Sequence, residues 1–314
     1  MPSFQDIYFD SSTGVNRIHA RKCTPDGKPR AIVQINHGIA EYIERYDDFM
    51  NFLANNGFVV VGEDHLGHGK SIEHPEDKGF FAEKDGWNCV LKDIDQLRNI
   101  IREEYPELPY IFFGHSMGSF LTRHYLINNP EKYDAAIICG TGHMPRAKAH
   151  FGYNLARSIC KAKGPRADGK LLNDVGFAGF NKRVPVLMTD YDWVCGSYES
   201  VKKYVADPLC GFIPKAGVFR DMMSGVLYIT DQKNIDAMSK TQPIFFIAGS
   251  DDPVGEYGKA VVRAYNAFCK AGMQDVTIKL YPHMRHEILN EDNHEIVYND
   301  ILTWLNKKLD TIAE

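Results

Sequence analysis

No segment of this 314-residue chain approaches the roughly 18 consecutive apolar residues that a membrane-spanning helix requires, so no span is expected. A basic stripe is also missing, and with a net charge of −5 this argues against phosphate-backbone binding as the main task, so no nucleic-acid partner is expected. The seven cysteines, at 23, 89, 139, 160, 195, 210 and 269, are odd in number and contain no C-x-x-C pair. That argues against a disulfide framework or a zinc site and suits free thiols in a reducing compartment. The opening Met-Pro-Ser-Phe-Gln-Asp-Ile has neither a basic n-region nor an apolar h-region, so a secretory leader is not expected and a cytoplasmic location is. Twelve histidines include His65-x-x-His68 and His283-x-x-His286 but no H-E-x-x-H, so no metal is expected. Gly69-Lys70-Ser71 ends like a phosphate-binding loop, yet Asp64 stands where its first glycine belongs and His74-Pro75 interrupts the helix it must open. No nucleotide or other cofactor is expected.

What is present is the composition of a globular chain, 44% hydrophobic and 25% charged, long enough for one large α/β domain with an insertion. Ile7–Asp10 and Asn16–Cys23 flank a turn and read as a hairpin. Ala31–Asn36, Phe58–Gly62, Tyr110–Phe113, Asp134–Cys139, Pro243–Ala248 and Val276–Tyr281 read as strands, Phe58–Gly62 and Tyr110–Phe113 as buried ones. Between them, helical faces are marked by Tyr46, Phe49, Met50 and Leu53, by Val90, Ile94, Leu97 and Ile101, and finally by Val297, Ile301, Leu305 and Leu309. Alternation of this kind, with strands apolar throughout, predicts a mostly parallel sheet covered by helices on both faces. From 143 to 230 the rhythm breaks into helical fragments rich in aromatics and methionine. The expected organisation is core over 1–142, an inserted helical cap over 143–230, and core again over 231–314. Such a cap lies over the carboxyl ends of the strands, where parallel sheets bind ligands. Within it Trp193, Phe219 and Met222 are the expected substrate contacts.

Gly114-His115-Ser116-Met117-Gly118 stands between the strand 110–113 and a helix carrying Met117, Phe120, Leu121 and Tyr125 on one face. This is a G-x-S-x-G elbow in its proper setting, and it makes Ser116 the candidate nucleophile. A serine hydroxyl needs a base, and the base needs an acid, in the chain order Ser, Asp/Glu, His. Two loops at strand ends qualify: Gly249-Ser250-Asp251-Asp252-Pro253 and Pro282-His283-Met284-Arg285-His286-Glu287. Asp252 and His286 are favoured, with Asp251 and His283 as rivals. Asp251 is expected to cap a turn through an Asx hydrogen bond, and His283 to sit at the strand end. Oxyanion donors are expected from the N–H groups of Met117 and Ile39, the latter in the His37-Gly38-Ile39-Ala40-Glu41 loop. His115 is expected to pack beneath the nucleophile.

Taken together these segments resemble the monoacylglycerol lipase and lysophospholipase-like branch of the α/β-hydrolases. His37-Gly38-Ile39-Ala40-Glu41 with Arg45-Tyr46 is similar to its H-G-x-x-E…R-Y segment, and Asp64–Ser71 to its D-x-x-G-H-G-x-S turn. Gly114–Gly118 is similar to its G-H-S-M-G elbow, Gly249–Asp252 to its acid loop, and Arg285-His286-Glu287 to its terminal histidine. Asp207-Pro208-Leu209 is similar to a segment of its cap. The resemblance selects Asp252 over Asp251 and His286 over His283. It implies an α/β-hydrolase fold and a serine esterase cleaving a single-acyl ester through an acyl-enzyme, with transient membrane-surface contact through the cap. A thioesterase, amidase or peptidase would use the same triad, and an acyltransferase or a non-enzymatic binder the same scaffold.

Overall fold

A computed structural model of the chain describes residues 1–312. β1 (Ser3–Asp10), β2 (Arg17–Thr24), β3 (Ala31–Asn36), β4 (Phe58–Glu63), β5 (Tyr110–His115), β6 (Ala135–Cys139), β7 (Ile244–Gly249) and β8 (Val276–Tyr281) form one sheet. Their order across it is β1-β2-β4-β3-β5-β6-β7-β8. The expected hairpin forms, with Ser3 opposite Thr24 and Asp10 opposite Arg17, and β2 runs antiparallel to β4. From β4 to β8 every pairing is parallel. Strands β3 to β7 are buried along their whole length, which is why they read as continuous apolar runs. β8, at the edge, alternates between partly covered and exposed residues.

Successive strand residues point to opposite faces, and the two hydrophobic cores divide accordingly. Phe112 packs in one with α2 (Gly86–Glu104), α3 (Met117–Asn128) and α9 (Lys259–Lys270). Phe113 packs in the other with α1 (Asp47–Asn55) and α10 (Glu295–Ile312). Helix α9 escapes the sequence reading. Its buried face is Ala260, Val261, Ala264, Ala267 and Phe268, which recur at helical spacing.

Between β6 and β7 lie five α-helices: α4 (Arg146–Lys163), α5 (Lys170–Gly176), α6 (Tyr198–Ala206), α7 (Ala216–Ile229) and α8 (Gln232–Ile235). α7 packs on α3 and α2 and carries α4 on its other side. Its Ala216, Val218, Phe219, Met222 and Ile229 join the main core, so the insertion is rooted in the sheet's own helical layer. No helix among the described residues is long and apolar enough to cross a membrane.

Candidate active site

The turn from β5 into α3 is as sharp as its glycines imply. A Cβ at Gly114 would lie 2.3 Å from Thr122 Oγ1, and one at Gly118 only 1.9 Å from the Asn36 carbonyl oxygen. Ser116, at the apex, has φ 53° and ψ −120°, a region costly for a residue with a side chain. Its N–H donates to the Cys139 carbonyl at 3.1 Å, which ties the elbow to the end of β6. Met117 opens α3, so its N–H has no acceptor within the helix and stands at the positive end of the helix dipole.

The two late loops meet as a pair. Asp252 is fully buried, and its Oδ1 lies 3.0 Å from His286 Nδ1. The Asx turn expected of Asp251 belongs to Asp252 instead, whose Oδ1 also accepts the Val254 N–H at 2.8 Å. Asp251 is exposed and takes only the Ser250 hydroxyl at 3.2 Å. His283 is exposed too, with φ 63° and its N–H bound to Ser250 Oγ at 2.9 Å. The geometry therefore brings Asp252 and His286 together and leaves both rivals outside. His286 is buried between Trp193, 5.3 Å away ring to ring, and His115, at 4.6 Å. His286 and Ser116 line one cavity.

The loop after β3 is shaped by a buried charge cluster that sequence reasoning missed. Glu41 Oε1 accepts the Gly38 N–H at 2.6 Å, the Tyr46 hydroxyl at 2.9 Å and His115 Nδ1 at 3.0 Å. Its Oε2 takes Arg45 at 2.6 Å, and Arg45 forks onto both oxygens of Glu287 at 2.6 Å each. Burial opposes ionisation of Glu41, but the His115 hydrogen bond and the Arg45 and His115 charges win and hold its carboxyl well below the usual range. Burial likewise opposes charge on His115, yet the Glu41 hydrogen bond and charge raise its pKa. The other ring nitrogen of His115 faces the His286 carbonyl at 3.3 Å, so both nitrogens meet acceptors, as a protonated ring requires. One carboxylate thus fixes the Ile39 loop, and one imidazole links it to the backbone of His286. The signal was in the sequence, in Glu41, Arg45, Tyr46 and Glu287, but their distant partners were not. The Ile39 N–H donates to no protein group among the described residues.

The look-alike motifs are structural. Asp64 accepts Ile43 N–H, Lys70 N–H and His19 Nδ1 at 2.7 to 2.8 Å, while Lys70 Nζ turns to Glu44 at 2.7 Å. His65 and His68 are fully buried; desolvation depresses both, His68 to about 3.

Two cavities meet at Ser116 and Ile39. The smaller, about 70 Å³, is lined by Glu41, Asn173, Tyr191, Trp193, Tyr204 and His286 among others, with no lysine or arginine. The larger, about 200 Å³, is apolar and runs between Phe120, Leu155, Phe177, Phe219, Met222 and Val226. The three expected substrate contacts therefore separate: Phe219 and Met222 line the larger cavity, Trp193 the smaller.

Known proteins resemble this chain over most of its length. The sequence profile of the family described as "Serine aminopeptidase, S33" matches residues 27–293. A monoacylglycerol lipase of Mycolicibacterium smegmatis is 30% identical over 90% of both chains. A monoglyceride lipase of Rattus norvegicus is 24% identical over 98% of this chain and 92% of its own. A thermostable carboxyl esterase of Bacillus coagulans, crystallised with glycerol, superposes with a TM-score of 0.91 at 31% identity, covering 98% of this chain and 99% of that one. The chain belongs to the serine aminopeptidase S33 family of α/β-hydrolases, on the side of it that resembles the monoacylglycerol lipases.

Proposed function

We propose that this carboxylic ester hydrolase cleaves monoacylglycerols or similar esters of one acyl chain with a small neutral alcohol. The observation that carries the reading is the pair of unequal cavities meeting at Ser116, the larger apolar and the smaller of mixed lining, with Glu41, Asn173, Tyr191 and Tyr204 among its walls. The acyl chain occupies the larger cavity and the alcohol the smaller. Ser116 Oγ attacks the ester carbonyl as His286 takes its proton, and Asp252 holds the imidazole in the productive tautomer. The carbonyl oxygen becomes an oxyanion received by the N–H groups of Ile39 and Met117, each worth on the order of 3 kcal/mol to the transition state. The protonated His286 then gives its proton to the departing alcohol, and water, deprotonated by His286, releases the fatty acid.

Of the single-acyl esters, a lysophospholipid fits less well. Its phosphate would enter the small cavity, which offers no lysine or arginine. An aminopeptidase needs a free carboxylate for the substrate ammonium. Glu41 and Glu287 are the carboxylates lining that cavity, and both are engaged by Arg45. The test compares p-nitrophenyl esters from acetate to palmitate with monoacylglycerol and lysophosphatidylcholine, beside fluorophosphonate labelling. Ser116→Ala is expected to stay folded, escape the probe and lose about 10⁴–10⁶ in kcat. Wild-type protein that the probe leaves unlabelled would end the serine mechanism.

A further inference from the structure

We propose that two copies of this chain join edge to edge through β8, which pairs with its own copy antiparallel about Thr277. The sheet has two open edges, β1 and β8. In the parallel ladder with β7, the Asp275 and Tyr281 carbonyls accept the Ile244 and Ser250 N–H groups at 2.9 and 2.8 Å. Odd-numbered residues therefore bond inward, and the N–H and C=O groups of Val276, Ile278 and Leu280 turn outward. Those groups have no partner among the described residues. β8 contains no proline and its register with β7 is unbroken, so neither a proline nor a bulge blunts this edge.

The strand's own sequence says what covers it. A two-fold axis at Thr277 sets Thr277 opposite its copy, Val276 opposite Ile278 and Asp275 opposite Lys279. Threonine pairs and opposite-charge pairs across strands both stabilise a sheet. In this register Val276 and Ile278 exchange their outward hydrogen bonds. Asp275 and Lys279 then form the closer, non-hydrogen-bonded kind of pair, with Cα atoms about 4.5 Å apart. Moving the axis to Val276 or Ile278 sets Lys279 against Met273 or Thr277 and loses both ion pairs. A lysine on an edge strand ordinarily discourages pairing, but here Asp275 stands where the copy's lysine arrives.

Both faces of the strand support the contact. Asp275, Thr277 and Lys279 share one face. Within the chain Asp275 pairs with Lys308, and Lys279 with Asp300 at 2.5 Å. Joining two copies thus strings together four charges of alternating sign: Lys308, Asp275, and the second copy's Lys279 and Asp300. On the other face Val276, Ile278 and Leu280 extend the main core yet are only half-buried, and the added strand covers them. The opposite edge has no such match. β1 carries Asp6 and Asp10 and no basic residue, so no register of β1 against itself makes an ion pair. Neither Asp275 nor Lys279 lines either cavity at Ser116, and the interface stands independently of the ester reading.

The experiment is sedimentation velocity on the full-length protein, joined to hydrogen–deuterium exchange across residues 274–281. Wild type is expected to be a dimer at about 50 μM and to dissociate on dilution. The Val276 and Ile278 amides are expected to exchange about tenfold more slowly at that concentration than at about 0.5 μM. Asp275→Lys and Lys279→Asp each set like charges opposite one another at two places, and each is expected to weaken association about tenfold or more. Mixed in equal amounts the two variants are expected to associate again, because each new lysine of one then faces an aspartate of the other. Ile278→Pro removes an outward N–H without touching the ladder to β7, so it is expected to fold and stay monomeric. Wild type that is monomeric, or that forms anything larger than a dimer, would overturn the proposal. So would a dimer whose Val276 and Ile278 amides exchange at the same rate at both concentrations. Single-charge variants that associate like wild type would place the contact on another face, and a mixture no more associated than either variant alone would refute the pairing about Thr277.

Discussion

At the scale of single residues, the pairing of Asp252 with His286 carries the sharpest test. A buried carboxylate against Nδ1 leaves Nε2 as the nitrogen that can accept a proton. Asp252→Asn would favour the wrong tautomer and is expected to cost about 10⁴ in kcat, with His286→Ala at least as damaging. Asp251→Asn and His283→Ala, at exposed positions in the same two loops, are expected to stay within a few-fold of wild type. Steady-state kinetics on p-nitrophenyl butyrate separates the four, and a dead His283→Ala would reassign the base. His124 offers a test of burial. It accepts the Trp87 indole N–H at 3.0 Å, stacks on Tyr228 at 4.0 Å, and desolvation depresses its pKa to about 4. The unfolded chain takes up this proton near pH 6.5 while the folded one refuses it until about 4. Stability from this group is therefore complete above pH 6.5 and lost as pH falls toward 4, at about 1.4 kcal/mol per pH unit. His124→Asn keeps an acceptor for Trp87 but does not titrate. Urea unfolding at pH 7 and pH 5 is expected to show a drop about 2 kcal/mol smaller in the variant than in wild type.

Among the elements, α3 does more than present Ser116. Its Arg123 is fully buried with no carboxylate within 4 Å among the described residues. Desolvation lowers its pKa to about 9. The guanidinium donates to the Gly142 carbonyl at 2.7 Å and the Thr141 hydroxyl at 3.3 Å, where the insertion begins, and to the Ile229 carbonyl at 3.1 Å, where α7 ends. Both stems of the insertion are thus pinned to the helix that follows the elbow. Arg123→Met keeps most of the volume and strands those carbonyls, at a cost of about 2–3 kcal/mol in urea unfolding. If the pin also fixes the larger cavity, the variant's kcat/KM is expected to fall more for octanoate than for acetate esters. Equal losses on both would restrict Arg123 to a stabilising role.

For the whole molecule, the insertion converts an open sheet edge into two cavities of different size and polarity. Each methylene buried is worth about 0.8 kcal/mol, so four more carbons in the larger cavity raise kcat/KM by about two powers of ten. Rate is expected to climb with acyl length to a limit, and Phe219→Ala or Met222→Ala to move that limit upward. Trp193→Ala, acting on the smaller cavity, is expected to change the preference for the alcohol and not for chain length. A flat profile from acetate to octanoate would remove the acyl chain from the larger cavity.

What could be read from the chain alone was whatever depends on local order. The apolar runs of β3 to β7 announce a sheet buried on both faces, because a strand covered on two sides has no polar face to show. The elbow is legible because Gly114 and Gly118 are imposed by contacts within a few residues of Ser116 or by the adjoining strand. α9 goes unread although its buried Ala260, Val261, Ala264, Ala267 and Phe268 recur at helical spacing, a pattern the sequence does carry. The Asx turn falls on Asp252 and not on Asp251, a choice local sequence does not make because the two are equivalent until the fold buries one of them. Only tertiary structure could decide that Glu41, Arg45, His115 and Glu287, spread over 247 positions of the chain, share one buried charge cluster. It alone could separate Trp193 from Phe219 and Met222. Hydrophobicity along a chain records that a side chain is covered; what covers it depends on how distant segments pack, and no local pattern encodes that.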